Sequence, residues 1–99
     1  MSDQQETLGD DLDRANLIAA PTATAVLTHV VRSIVDDPDS VAVNSHESRG
    51  RVKLDVTVGP GDLGRVIGRR GRTAQSIRTV VRAAAVRDGA EVDVDFVDS

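Results

Sequence analysis

The run Gly64-Arg65-Val66-Ile67-Gly68-Arg69-Arg70-Gly71-Arg72-Thr73 constrains this chain more than any other stretch. Leu63, Val66 and Ile67 form an apolar stripe one or two helical turns long, and Ile77, Val80, Val81 and Ala84 form a second, longer one. Glycine in a helix interior costs about 0.5–1 kcal/mol relative to alanine and readily takes backbone conformations closed to other residues. Gly68 and Gly71 therefore predict a sharp bend between two helices, the second running from about Thr73 to Arg87 and ended by Asp88-Gly89. The bend brings together bare backbone, the cations Arg69, Arg70 and Arg72, and the N-terminus of a helix. Unpaired N–H groups and the positive end of the helix dipole gather there, which suits an anion such as a phosphate.

The flanking sequence supplies a frame for this bend. Ala23, Val26, Leu27, Val30, Val31 and Ile34 recur at helical spacing after Pro21, a good first-turn residue, and Asp36-Asp37-Pro38-Asp39 ends that helix. His29 falls at the edge of the stripe and is expected on the surface. Val41-Ala42-Val43 opens a strand. Arg51 to Val58 alternates strictly, with Val52, Leu54, Val56 and Val58 on one face, and His46 to Gly50 is expected as the intervening turn. Gly59-Pro60-Gly61 stops this strand, and Asp62 is placed to cap the next helix. Val92, Val94 and Phe96 alternate with Asp93 and Asp95 in a last strand, and Phe96 is expected in the core. The order helix-strand-strand-helix-helix-strand predicts an α+β domain, with three helices packed on one face of a three-stranded sheet.

Ninety-nine residues allow one domain with a small core. Residues 1–20, acidic and without sustained periodicity, are expected as a flexible tail, and residues 21–99 as the domain. The net charge of −4 argues at first against nucleic acid, but its distribution argues the other way. Residues 61–87 hold seven arginines and one acid, Asp62, for +6, while residues 1–20 carry −4 and residues 88–99 carry −5. The chain has no cysteine, and its two histidines, His29 and His46, are isolated, so neither a disulfide nor a metal centre is expected. No apolar run approaches the ~20 residues of a membrane span, and the acidic N-terminus is unlike a secretory signal, so a cytoplasmic location is expected.

Enzymatic motifs fail on inspection. Gly59-Pro60-Gly61-Asp62-Leu63-Gly64 matches the dinucleotide pattern G-x-G-x-x-G, but the chain is too short for the βαβ framework, and Pro60 removes a backbone donor where one is wanted. There is no nucleophile elbow and no zinc-binding His-Glu-x-x-His. Asp93 and Asp95 are expected as solvated acids. No catalytic residue and no cofactor is assigned. Aromatic stacking is also excluded as a way of holding bases, because Phe96 is the only aromatic residue in the chain.

The run Leu63 to Thr73, with Ile77-Arg78-Thr79-Val80-Val81 after it and Ile34-Val35-Asp36-Asp37-Pro38-Asp39-Ser40-Val41 before it, resembles bacterial single-KH-domain RNA-binding proteins of the KhpA type over about residues 24–97. The resemblance implies a type II KH fold with a mixed sheet, and a loop that clamps single-stranded RNA. Gly68, Arg69, Arg70 and Gly71 would hold phosphates. Gly64, Arg65, Val66 and Ile67, with Arg72 and Thr73 at the start of the next helix, would line the groove, and Val92 to Phe96 would form its other wall. It further implies a homodimer or a pairing with a KhpB-type (Jag-like) KH protein, and a link to cell elongation and envelope control. Lysine often stands in the family where Arg70 stands here, which changes hydrogen-bond geometry while keeping the charge. The acidic tail is longer than usual, and nothing carries over to it. The expected function is non-catalytic binding of single-stranded RNA, as in post-transcriptional regulation or RNA chaperoning. Two alternatives are a protein-pairing module with little RNA affinity of its own, and a helix-hairpin-helix that grips duplex DNA.

Overall fold

The computed structural model describes residues 19–97. Helix α1 spans Pro21–Ile34, strand β1 Ala42–Ser48, β2 Arg51–Thr57, helix α2 Leu63–Ile67, α3 Arg72–Asp88 and β3 Glu91–Val97. Short 3-10 turns at Pro38–Ser40 and Arg69–Gly71 complete the path. The order is the one the periodicity predicts. Of the expected tail, residues 1–18 fall outside the described residues; Ala20 is buried and Ala19 packs against the core.

Strand β2 occupies the centre of the sheet, antiparallel to β1 and parallel to β3. Its alternation sorts Val52, Leu54 and Val56 to one face, beside Val92 and Val94 of β3. Ala23, Leu27 and Val31 of α1, Val66 of α2, and Ala74, Ile77, Val81 and Ala85 of α3 close over them. Burial of each valine, leucine or isoleucine among them stabilises the fold by roughly 1.5–3 kcal/mol. Val80, expected in the core, is 48% exposed. It precedes Val81 by one residue and so points ~100° away round the helix, while Ala74 and Ala85 fill the seam instead. Phe96 is only half buried, with the Arg78 guanidinium 5.5 Å from its ring centre.

The turn between β1 and β2 is tighter than expected. Strand β1 runs on through His46 and Glu47 to Ser48, and only Arg49 and Gly50 turn, with φ of 54° and 80°. Positive φ at both central residues is the two-residue type I′ geometry that matches strand twist. His46 to Ser48 show no apolar alternation because β1 is an edge strand whose residues, Val43 partly excepted, remain exposed.

The helix-free face of the sheet is a charge ladder. Arg51 pairs with Asp93 at 3.1 Å and Lys53 with Asp95 at 3.2 Å, while the His46 imidazole lies beside Asp55, Nε2 to Oδ2 3.0 Å. The hydrogen bond and charge of Asp95, aided by Asp55, hold the Lys53 ammonium above its ordinary pKa. The acids of β3 thus meet cations of β2.

Helix α1 begins without a cap of its own. Its N-cap residue, Ala20, has no side-chain oxygen, and Pro21 has no N–H. The Asp88 carboxylate, at the end of α3, accepts from Thr22 N at 3.0 Å and from Ala23 N at 2.9 Å. Burial raises the pKa of this carboxyl, but the Ala23 and Thr22 hydrogen bonds outweigh burial and hold it below the ordinary value. The stabilisation is present above the unfolded-state value of ~3.9 and is lost as pH falls through the lower folded value. Asp88→Ala should cost ~1 kcal/mol, as loss of a cap does, and lower Tm by roughly 4–8 °C. Thermal melts between pH 7 and pH 2.5 should show the difference from wild type shrinking in the acid range.

Candidate nucleic-acid interface

Residues Leu63–Ile67 make a single short helix because Gly68 ends it in a conformation that only glycine holds comfortably. Gly68 has φ 76° and ψ 175°, and its N–H closes the helix onto Gly64 O at 2.9 Å. A Cβ at Gly68 would lie 2.7 Å from Thr73 Cβ and 2.9 Å from Thr73 N, so the start of α3 packs directly over this residue. Arg70 and Gly71 follow in the left-handed region, with φ of 57° and 72°. A non-glycine residue pays steric strain there, so Arg70 carries a conformational cost that a glycine would not.

This geometry opens the turn. Gly71 N donates to Gly68 O at 3.1 Å, and Arg72 N to Arg69 O. Among the described residues, the N–H groups of Arg69 and Arg70 have no backbone acceptor. The side chains of Arg69, Arg70 and Arg72 line an open hollow of about 410 Å³ and, among the described residues, form no ion pair. The first turn of α3 contains no acid to neutralise them. Helix α3 is 17 residues long, and its N-terminus contributes a partial positive charge of about 0.5 e at the same place. Unpaired cations, available amides and a helix terminus converge on one exposed bend, which can accept an anionic oxygen from several directions.

The other expected site residues divide by role. Gly64 is exposed on α2 with open space where a Cβ would stand. Ile67 is half buried and flanks the turn. Val66 is fully buried and belongs to the core. Thr73 is half buried against Gly68. Arg65 is committed elsewhere: its Nη2 meets Asp36 Oδ2 at 2.9 Å and its Nε meets Asp62 Oδ1 at 3.5 Å. Asp62 stands at the head of α2 but does not cap it. Its side chain is 3% exposed, and the carboxylate accepts from Asp36 N and Asp37 N, both at 3.1 Å. Asp62 and Arg65 together fasten α2 to the elbow after α1, and so fix where the bend projects.

Arg78 was legible within the sequence motif but not as a structural feature. Its Nε donates to Val94 O at 3.2 Å, covering part of the free edge of β3. The strand expected as the second wall of a groove therefore faces α3 across an arginine. Arg78 and Arg82 are four residues apart and lie on the flank of α3 toward β3, a spacing visible in the sequence once the buried face is known.

A mixed three-stranded sheet with helices on one face, and a Gly-x-x-Gly bend between the last two helices, defines a KH domain. The model of the KhpA/KhpB KH-domain family matches residues 24–96, and the chain belongs to that family. Over 73 residues it is 60% identical to the RNA-binding protein KhpA of Leifsonia xyli, covering 73% of this chain and 92% of that one. The KhpA of Streptomyces coelicolor is 56% identical, with 73% and 87% covered, and that of Bacillus subtilis 38%, with 74% and 90% covered. The fold is also similar to part of Aquifex aeolicus Era bound to GDP and aluminium fluoride, with a TM-score of 0.55 at 21% identity. That match covers 85% of this chain but 31% of Era, and it concerns the fold alone. The family is non-enzymatic. No helix among the described residues is long and apolar enough to cross a membrane.

Gly68→Ala tests how far the bend depends on its first glycine. Backbone strain of ~1–3 kcal/mol and a clash with Thr73 should combine to lower Tm clearly in a thermal melt. An unchanged Tm would show that the turn has an alternative geometry.

Proposed function

We propose that this chain binds single-stranded RNA without catalysis, gripping the sugar–phosphate backbone at Gly68-Arg69-Arg70-Gly71. The observation that carries the proposal is the convergence of three arginines, unpaired among the described residues, with the amides of Arg69 and Arg70 at the head of α3. The names of the relatives, each an RNA-binding protein, point the same way. Gly64, Ile67 and Arg72 border the strand's path, Thr73 supports the loop from beneath, and Val66 and Arg65 hold the scaffold. Bases rest on aliphatic surface and the β3 edge, because the chain has no aromatic platform. The domain, expected at residues 21–99, takes in Ala19 and Ala20 as well, since both pack with its core, and the acidic sequence lies before them. Its setting is the cytoplasm, in post-transcriptional regulation or RNA chaperoning connected with cell elongation.

If two or three phosphates are held, log K should fall against log salt with a slope of about −1.5 to −2. Replacing Arg69 and Arg70 together by Asp should abolish binding while leaving the melt intact. Fluorescence anisotropy with labelled single-stranded RNA reads both, and unchanged affinity in a folded variant would sink the site assignment.

Gly64→Ala separates stability from binding. The exposed helical position should gain about 0.5–1 kcal/mol from the better helix former. A strand lying over α2 would meet the new methyl group, so RNA affinity should drop as Tm rises. A rise in Tm with no loss of affinity would remove α2 from the RNA path.

A second reading is a pairing module, a homodimer or a partner of a KhpB-type protein, with little RNA affinity of its own. Val86 and Val80 on α3, 77% and 48% exposed, favour it. Sedimentation with and without RNA distinguishes the two: a tight dimer that ignores RNA at low salt supports pairing.

A further inference from the structure

The edge of β3 does not end at the bend. At its far end, Arg51, Arg82, Ala90, Glu91, Val92 and Asp93 line a hollow of about 310 Å³. Two guanidinium groups reach it from opposite sides of the sheet. Arg82 comes from α3, on the helix-covered side, and Arg51 from the start of β2, on the open face. Both converge on one carboxylate: Arg51 Nη2 is 3.1 Å from Asp93 Oδ2, and Arg82 Nη2 is 3.7 Å from Asp93 Oδ1. Glu91 stands 3.8 Å from Arg51 as a looser neighbour.

We propose that this hollow is a second phosphate subsite for the RNA strand, and that Asp93 occupies its arginines until a phosphate displaces it. The proposal rests on the RNA-binding function argued above. Three observations carry it. The first is position. From Gly71 to Arg82, α3 rises ~16 Å, a little more than the ~14 Å that four stacked nucleotides cover at ~3.4 Å each. A loop of this kind clamps about four nucleotides, so a longer strand that follows the β3 edge arrives at Arg82.

The second is continuity. Gln75, Arg78 and Arg82 line the flank of α3 toward β3: Arg78 Nη1 is 3.5 Å from Gln75 Oε1, its Nε is bound to Val94 O, and Arg82 is paired to Asp93. A row of polar side chains, two of them arginines, therefore leads from the bend to the hollow. The third is exchangeability. The Arg82, Arg51 and Asp93 side chains are 52%, 60% and 47% exposed, and ion pairs so exposed to water are weak and screened by salt. A phosphate presents more oxygens than a carboxylate to the planar guanidinium fork, and two cations can share it. Asp93 keeps the arginines ordered and in place when no strand is bound.

The test compares two single-stranded RNAs, a tetranucleotide and a dodecanucleotide, titrated against the full chain by fluorescence anisotropy at one low salt concentration. Arg82→Gln and Arg51→Gln should each weaken the dodecanucleotide roughly three- to tenfold and leave the tetranucleotide unchanged, with a shallower salt slope for the longer RNA only. Asp93→Asn should do the reverse and tighten the dodecanucleotide alone. Melting curves confirm that each variant is folded. Equal losses for both lengths, or no loss with the dodecanucleotide, would overturn the subsite while leaving the loop intact. Failure of the wild-type chain to bind either RNA would instead overturn the RNA-binding function, and the subsite with it.

Discussion

The parallel pairing of β2 with β3 is the constraint from which the rest follows. Parallel neighbours cannot be joined by a hairpin and need a crossover of a dozen or more residues, usually helical. In this chain the crossover is α2, the Gly68–Gly71 bend and α3. The buried face of α3 packs Ile77, Val81 and Ala85 against the sheet and α1, so the helix has one possible orientation. Its N-terminus, with three arginines, is then carried out into solvent beyond the core. The glycine bend divides this crossover into two helices, and in the proposed function it is the place where backbone and charge meet a phosphate.

Two aspartates stabilise this arrangement from a distance. Asp88 closes the start of α1 from the end of α3, and Asp62 holds Asp36 N and Asp37 N from the head of α2. Each carboxylate satisfies two backbone donors that the local chain leaves without acceptors, and no buried side-chain polar atom among the described residues lacks a partner. These bonds tie both ends of the crossover to α1. The bend is consequently mounted on three fixed points: the sheet, α1 and the elbow that follows α1.

Charge is sorted in the same way. The chain is acidic as a whole, yet the acids of β3 face Arg51 and Lys53 across the open face of the sheet. Arg65 is held by Asp36 and Asp62, Arg78 by the β3 edge, and Arg82 by Asp93. Seven arginines in one segment look like a uniform basic block, but the fold assigns them different tasks. Net charge describes the solution behaviour of a chain, whereas recognition depends on which cations remain unpaired.

The element order, the bend and the buried stripes of α1 and β2 were legible in the sequence. They rest on periodicity, proline and glycine, which act within a few residues. Misplacements occurred where a partner far along the chain decided the outcome. Val80 sits on an apolar stripe but faces water, because α1 and β3 meet α3 on the side of Ala74, Ile77, Val81 and Ala85. Strand β1 runs to Ser48 because β2 supplies its hydrogen bonds without demanding apolar residues. Asp62 reads as a helix cap and proves to be a cross-brace, while Asp88 reads as a helix end and proves to cap another helix. Where the chain turns and which faces are apolar can be read from the residues alone, because those follow from backbone sterics and local spacing. Which carboxylate meets which amide, and which arginines lack an ion pair among the described residues, depends on the fold, because those pairings join residues that become neighbours once the sheet has formed.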